Sequence, residues 1–179
     1  MIDCRNALVR SAGDYDAAKH ALQELGASKA VKKSERETSE GLVASYIHAG
    51  GKIGALVEVN CETDFVARNE RFRELVRDIA MHVTAMSPEY VSREVVPAEL
   101  LATQRAEIAT TVPAGKPPEV VEKIVEGRLN KWFEERVLLD QPFVRNDEQT
   151  VGELIAAVIG VLGENIQVRR FTKFALGER

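Results

Sequence analysis

With 179 residues, 45% of them hydrophobic, the chain is long enough to bury one core of moderate size and a small appendage. Its 24 basic residues are balanced by 28 acidic ones, which excludes the broad positive field that direct nucleic-acid binding needs. No apolar run approaches the roughly 20 residues that cross a bilayer, and the start MIDCRNALVR has neither a signal-peptide core nor the Arg/Ser bias of a transit peptide, so a cytoplasmic setting without membrane partners is expected.

The first elements are two short helical patterns, Ile2, Ala7, Leu8 and then Ala17, Ala18, Ala21, Leu22, Leu25. Gly13 separates them, Asp14 is placed to cap the second, and Gly26 to close it. Helices this short are marginal alone, so the pair either packs on the main domain or needs a partner helix upstream. The polar stretch SKAVKKSERETSE, residues 28–40, reads as a linker or a solvated helical connection and marks a domain boundary. Its basic residues Lys29, Lys32, Lys33 and Arg36 suit either a solvated connector or contact with an acidic partner.

Residues 42–48 and 53–61 are β-rich runs joined by Gly50 and Gly51, which reads as a hairpin. In the second run Ile53, Ala55, Val57, Val59 and Cys61 share one face. Asn69 is placed to cap a helix whose apolar residues Phe72, Leu75, Val76, Ile79, Val83 and Met86 form one stripe, ending at Ser87-Pro88. That stripe should cover the hairpin's apolar face. Further helices are predicted over 98–110, from Pro117 to about Leu138, and over 150–162, with Gly163 as a C-cap. Residues 166–176 return to extended character and supply a third strand, with Val168, Arg170, Thr172 and Phe174 on one face. The fold class is α+β, a small antiparallel three-stranded sheet packed with helices.

Reactive groups are sparse. Cys4 and Cys61 lie far apart, in no CxxC pair, which argues against a zinc site or disulfide scaffold. There is no GxSxG, HExxH or Walker loop, so an enzyme would have to assemble Glu62 and Asp64 with His20, His48 or His82. The segment Cys61-Glu62-Thr63-Asp64-Phe65-Val66-Ala67-Arg68-Asn69 stands out, because a strand ends and a helix begins around a large aromatic next to an acid. Phe65 is either a staple tucked under the next helix or a wedge protruding from a rigid scaffold. His82 lies on the margin of the helical stripe, suited to edge packing or to a partner. Arg169 and Arg170 suit pairing with a carboxylate such as Glu58 on a neighbouring strand. Trp132 and Phe133 suit a core role, with Gly127 permitting a close approach on the same helix.

At CETDFVARN, with the preceding GGKIGALVEVN, the sequence resembles the signature of the bacterial elongation factor Ts family. The likeness extends through MIDCRNAL, DIAMHVTAMSPEYV, KIVEGRLNKW, LLDQPFV and GENIQVRRFTKF, and so covers nearly the whole chain. It implies a short, single-core form, since only one hairpin and one TDFV segment are present. It also implies that the chain begins inside a three-helix ubiquitin-associated-like module. On this reading residues 1–27 are a partial helical module, 28–40 a linker and 41–179 the core.

What the family implies for function is exchange of guanine nucleotide on the GTPase elongation factor Tu, with no catalytic residue, cofactor or metal. The TDFV segment of the family disturbs the Mg²⁺ and phosphate site of the GTPase domain, a role that falls here on Thr63, Asp64, Phe65 and Val66. The IAMH histidine, His82, is implied as a secondary partner contact, and a homodimer giving a two-plus-two complex is expected. Two rival readings are an interaction module unrelated to translation and an enzyme using Asp64 and His82.

Overall fold

The period-two apolar face of residues 53–61 and the helical stripe of residues 70–86 meet in one core in the computed structural model, which describes residues 2–113 and 115–178. The elements run α1 (Ile2–Arg10), α2 (Tyr15–Lys33), β1 (Glu40–Ile47), β2 (Ile53–Cys61), α3 (Asp64–Ala67), α4 (Glu70–Met86), α5 (Ala98–Thr110), α6 (Pro118–Arg136), β3 (Pro142–Phe143), β4 (Asn146–Thr150), α7 (Val151–Leu162) and β5 (Ile166–Ala175). Strands β1, β2 and β5 form an antiparallel three-stranded sheet with β2 in the centre. The α+β class, the hairpin, the long helices and the third strand therefore form as the sequence predicts.

Val57, Val59 and Cys61 of β2 are buried against Phe72, Val76, Ile79 and Val83 of α4, and Val151, Ile155 and Ile159 of α7 close the core. Each such side chain contributes roughly 1.5–3 kcal/mol on burial, so strand face and helix face fix each other's orientation. Asn69 caps α4 by accepting from the Arg71 amide, and Ser87 ends it in the left-handed conformation. Thr150 and Glu153 form a reciprocal capping box on α7. A smaller core of Val96, Phe133 and Val137, with Trp132 packed on it, anchors the helical pair α5 and α6. Trp132 and Phe133 thus have the core role expected of them.

Several expectations are corrected. Gly26 does not end its helix: α2 continues to Lys33, so residues 28–33 take the helical one of the two forms expected for the connection. The reason lies in packing. A Cβ on Gly26 would stand 3.4 Å from the Ala156 carbonyl oxygen, and one on Gly160 would stand 3.3 Å from the Gly26 Cα, so the glycines let α2 and α7 cross closely. Gly127 has no such neighbour and faces open space. Met86 is exposed, since it lies in the last turn beyond the covered part of the stripe.

In β5 the register shifts, pairing Glu58 with Arg170 but Val59 with Val168. This bulge places one extra residue, Arg169, between the pairs and reverses the faces that follow. Val168 is buried, whereas Arg170, Thr172 and Phe174 point to the outer face instead of sharing its side. The Arg170 guanidinium donates to Glu58 at 2.7 Å, the cross-strand pair expected from sequence. The hairpin of β3 and β4 forms where no strand is predicted.

Candidate functional site

Cys61 ends β2 inside the core, and the chain leaves the sheet through Glu62 and Thr63 into the single turn of α3. Thr63 caps that turn: its hydroxyl oxygen accepts from the Val66 amide at 3.4 Å, and the Cys61 thiol donates to its carbonyl at 3.2 Å. Val66 and Ala67 turn inward and are buried. Between them and the cap, Phe65 projects outward and is 81% exposed. The staple alternative would have buried the ring under α4; the ring is instead exposed.

Asp64 stands beside Phe65, partly exposed, and its carboxylate pairs with Arg68 one turn along at 3.0 Å. An ion pair this exposed is worth about 0–1 kcal/mol, so the acid can exchange Arg68 for another partner at little cost. The turn itself is held from a distant part of the chain. Thr63 donates both its backbone N–H (3.0 Å) and its hydroxyl (2.7 Å) to the Glu164 carboxylate. The Asn165 amide donates to Glu62 at 2.6 Å, and the Asn165 side chain donates to the Ser34 and Arg36 carbonyls beyond α2. Glu164 and Asn165 carry no local signal of this role, because only the pairing of Cys61 with Ile166 brings them beside Thr63.

Burial pushes the Cys61 thiol up to about 11, with the nearby Glu164 carboxylate adding to the shift. The thiol is therefore protonated and inert in the native fold.

His82 is not at the stripe's margin in space, because its ring is fully buried. The hairpin of β3 and β4 folds over that side of α4 and covers it, with the Phe143 ring 6.0 Å from the imidazole. The Val144 amide donates to Nδ1 at 3.2 Å, which leaves the proton on Nε2, and Nε2 donates to Gln141 Oε1 at 3.0 Å. Gln141 is oriented in turn by donating to the Glu135 carbonyl. Desolvation lowers the His82 pKa, so the ring is neutral, and it offers no surface to a partner. The secondary contact expected of His82 is thus not available directly; the residue supports the covering hairpin from within.

The acids and histidines that an enzyme would need are not brought together. His48 bonds to Tyr46 at 3.3 Å, His82 to Gln141, and Glu62 to Asn165. Among the described residues no group of three or more His, Cys, Asp or Glu side chains could hold a metal ion, and no helix is long and apolar enough to cross a membrane.

Comparison with known proteins adds a second line. Residues 15–178 match the family model described as elongation factor TS. The chain is 51% identical over 179 residues to elongation factor Ts of Geotalea uraniireducens, covering 99% of this chain and 83% of that protein. It is 52% identical over 182 residues to the Koribacter versatilis protein of the same description, covering 99% and 82%. Elongation factor Ts of Thermodesulfovibrio yellowstonii is 47% identical over 178 residues, with 99% and 89% covered.

Proposed function

The chain belongs to the elongation factor Ts family, and from that premise we propose that it binds the GDP form of elongation factor Tu in the cytoplasm and releases the nucleotide. It acts by protein contact, with no covalent step and no cofactor. The observation that carries this reading is Phe65, a large apolar ring held 81% exposed on a turn whose neighbours Val66 and Ala67 are buried. A rigid turn presenting one aromatic is suited to enter a slot between packed elements of a partner.

Thr63 holds the turn, Phe65 enters the partner, Asp64 approaches the Mg²⁺ and phosphate site, and Val66 roots the turn in the core. An acid near a bound Mg²⁺ competes for its water and ligand arrangement, and Asp64 becomes free to do so by leaving Arg68. Linkage sets the cycle. If the factor weakens GDP binding, GDP weakens binding of the factor by the same ratio, so the nucleotide-free complex is the tight one. Entry of GTP then expels the factor.

The assembly proposed is a homodimer engaging two GTPase molecules. Its support is the outer face of the sheet, where Val43, Ile47, Leu56 and Phe174 are exposed on neighbouring strands. An apolar face on a sheet suits a two-fold contact that uses the same patch twice. Light scattering at tens of micromolar is expected to give a dimer, and Phe174→Asp a monomer with unchanged circular dichroism. A fully active monomeric parent chain would defeat the proposal. The helical pair α1 and α2 is read as a module seated on the 41–179 core, with its boundary after Lys33, where α2 ends, and not at residue 27.

The test of function is release of fluorescent GDP from elongation factor Tu. The parent chain should accelerate release, and Phe65→Ala should slow it at least about tenfold while melting normally. Release at the parent rate together with a lower melting temperature would make Phe65 a packing residue.

A further inference from the structure

The turn that carries Phe65 is a helix of four residues, too short to hold its own conformation. What fixes it lies elsewhere in the sequence. Glu164 follows Gly163, which ends α7 in the left-handed conformation and directs the chain sharply into β5. The antiparallel pairing of Cys61 with Ile166 then sets the residues just beyond each strand end opposite one another. At that point the two segments are joined by side chains in place of backbone pairs: Glu164 accepts from the amide and hydroxyl of Thr63, and Glu62 accepts from the backbone amide of Asn165.

We infer that Glu164 is a positioning residue for exchange, holding the turn of residues 63–66 in the orientation that presents Phe65. The inference rests on the exchange reading above. Its physical basis is the hydrogen-bond inventory of Thr63. The hydroxyl has one proton, and Glu164 accepts it at 2.7 Å, which turns the oxygen's lone pairs toward the Val66 amide that it caps. Bonds to an ionised carboxylate are stronger than neutral ones, so Glu164 fixes both the position of Thr63 and the direction of its cap. Without it the hydroxyl is free to rotate, the cap weakens, and the first turn of α3 loses its anchor. Phe65, 81% exposed, has little buried surface with which to compensate. A wedge that must be ordered after docking, before it can act on the nucleotide site, adds that cost to the release step and not to the docking itself.

Asn165 extends the same joint. Its side chain donates to the Ser34 and Arg36 carbonyls, while Lys33 donates to the Gly163 carbonyl, so the end of α2 is fastened to the residues that fasten the turn. The orientation of the wedge is thereby tied to the seating of α2.

The experiment compares the parent chain with E164A and E164Q at 25 °C, with circular dichroism confirming that all are folded. Amide hydrogen exchange reads the turn without any partner. In E164A the Val66, Ala67 and Arg68 amides should exchange at least about tenfold faster, while the paired amides of β2 and β5 keep the parent rate. GDP release from elongation factor Tu reads the function. E164A should lower the maximal rate about tenfold and leave the half-saturating concentration within about threefold. E164Q, which retains one acceptor for Thr63, should fall between. A group that only stabilises the fold would change neither the turn's amides nor the maximal rate this far below melting. Unchanged turn amides, or release by E164A at the parent rate, would overturn the assignment of Glu164. A parent chain that fails to release GDP would defeat the exchange reading itself.

Discussion

Phe65 and His82 lie toward opposite ends of one stretch, the turn after β2 and the far half of α4, and their surroundings are opposite. Phe65 is 81% exposed and, among the described residues, stands outside the hydrophobic core, whereas His82 is 0% exposed with both ring nitrogens bonded. The likeness to a family implied a partner contact for each, yet only one has a surface to offer. A role in binding needs an exposed group on a rigid base, and a role in stability needs a satisfied group with no exposure. The two residues separate these requirements within one short segment of chain.

The sharpest way to break the comparison is to truncate the buried member. His82→Ala leaves Gln141 Oε1 and the Val144 amide without a partner and opens a cavity beneath Phe143. The expected loss is about 3 kcal/mol, which lowers the melting temperature by roughly 6–12 °C. GDP release, measured where the variant remains folded, should change by less than about threefold, and a large loss of release with native melting would return His82 to the partner's surface. Phe65→Ala should give the mirror image. Its melting temperature stays within about 2 °C of the parent while release slows at least about tenfold, a loss of ~1.4 kcal/mol or more.

Acid sharpens the same contrast through protonation. Because the folded-state pKa of His82 is lowered, the unfolded chain binds a proton that the folded one resists once the pH drops below the unfolded value of about 6.5. The stability in question is present above that value and is lost as the pH falls through the folded pKa. Urea titrations at pH 7.5 and 5 should show a loss in the parent that shrinks in His82→Gln.

At the other end of the scale Cys61 behaves with the opposite sign. Its raised pKa keeps stability intact below about 9 and removes it as the pH climbs toward about 11. At pH 8 a thiol reagent should modify the exposed Cys4 and leave Cys61 untouched until urea unfolds the chain. Rapid native labelling of Cys61 would show that the base of the wedge opens, contrary to its buried position.

The smallest effect is expected where neither role operates. Gly127 sits inside α6 with nothing near the position of a Cβ, so Gly127→Ala should add up to about 1 kcal/mol by helix propensity alone. A loss of stability there would reveal a close approach that the single chain does not contain.

Much of the architecture was legible in the sequence because periodicity and capping are local physics. The alternation of residues 53–61, the stripe of α4 as far as Val83, the Asn69 cap and the left-handed stop at Gly163 each follow from spacing and side-chain type, and each forms as read. The unusual segment around Phe65 was legible too, since an aromatic and an acid on a strand-to-helix turn stand out in composition. Its exposure was not, because a staple and a wedge share one sequence pattern and differ only in which way the turn is held. Glu164 holds the turn through Thr63 from across the chain, by way of a strand pairing that no local window contains. The same limit hid the burial of His82, which depends on a hairpin folding back over α4, and the reversal of faces in β5, which depends on one bulged residue. Gly26 looked like a helix stop because glycine usually is one in isolation; against α7 it is the residue that lets two backbones approach. Local patterns fix what each segment becomes, while long-range contacts decide which of its surfaces remain open to a partner.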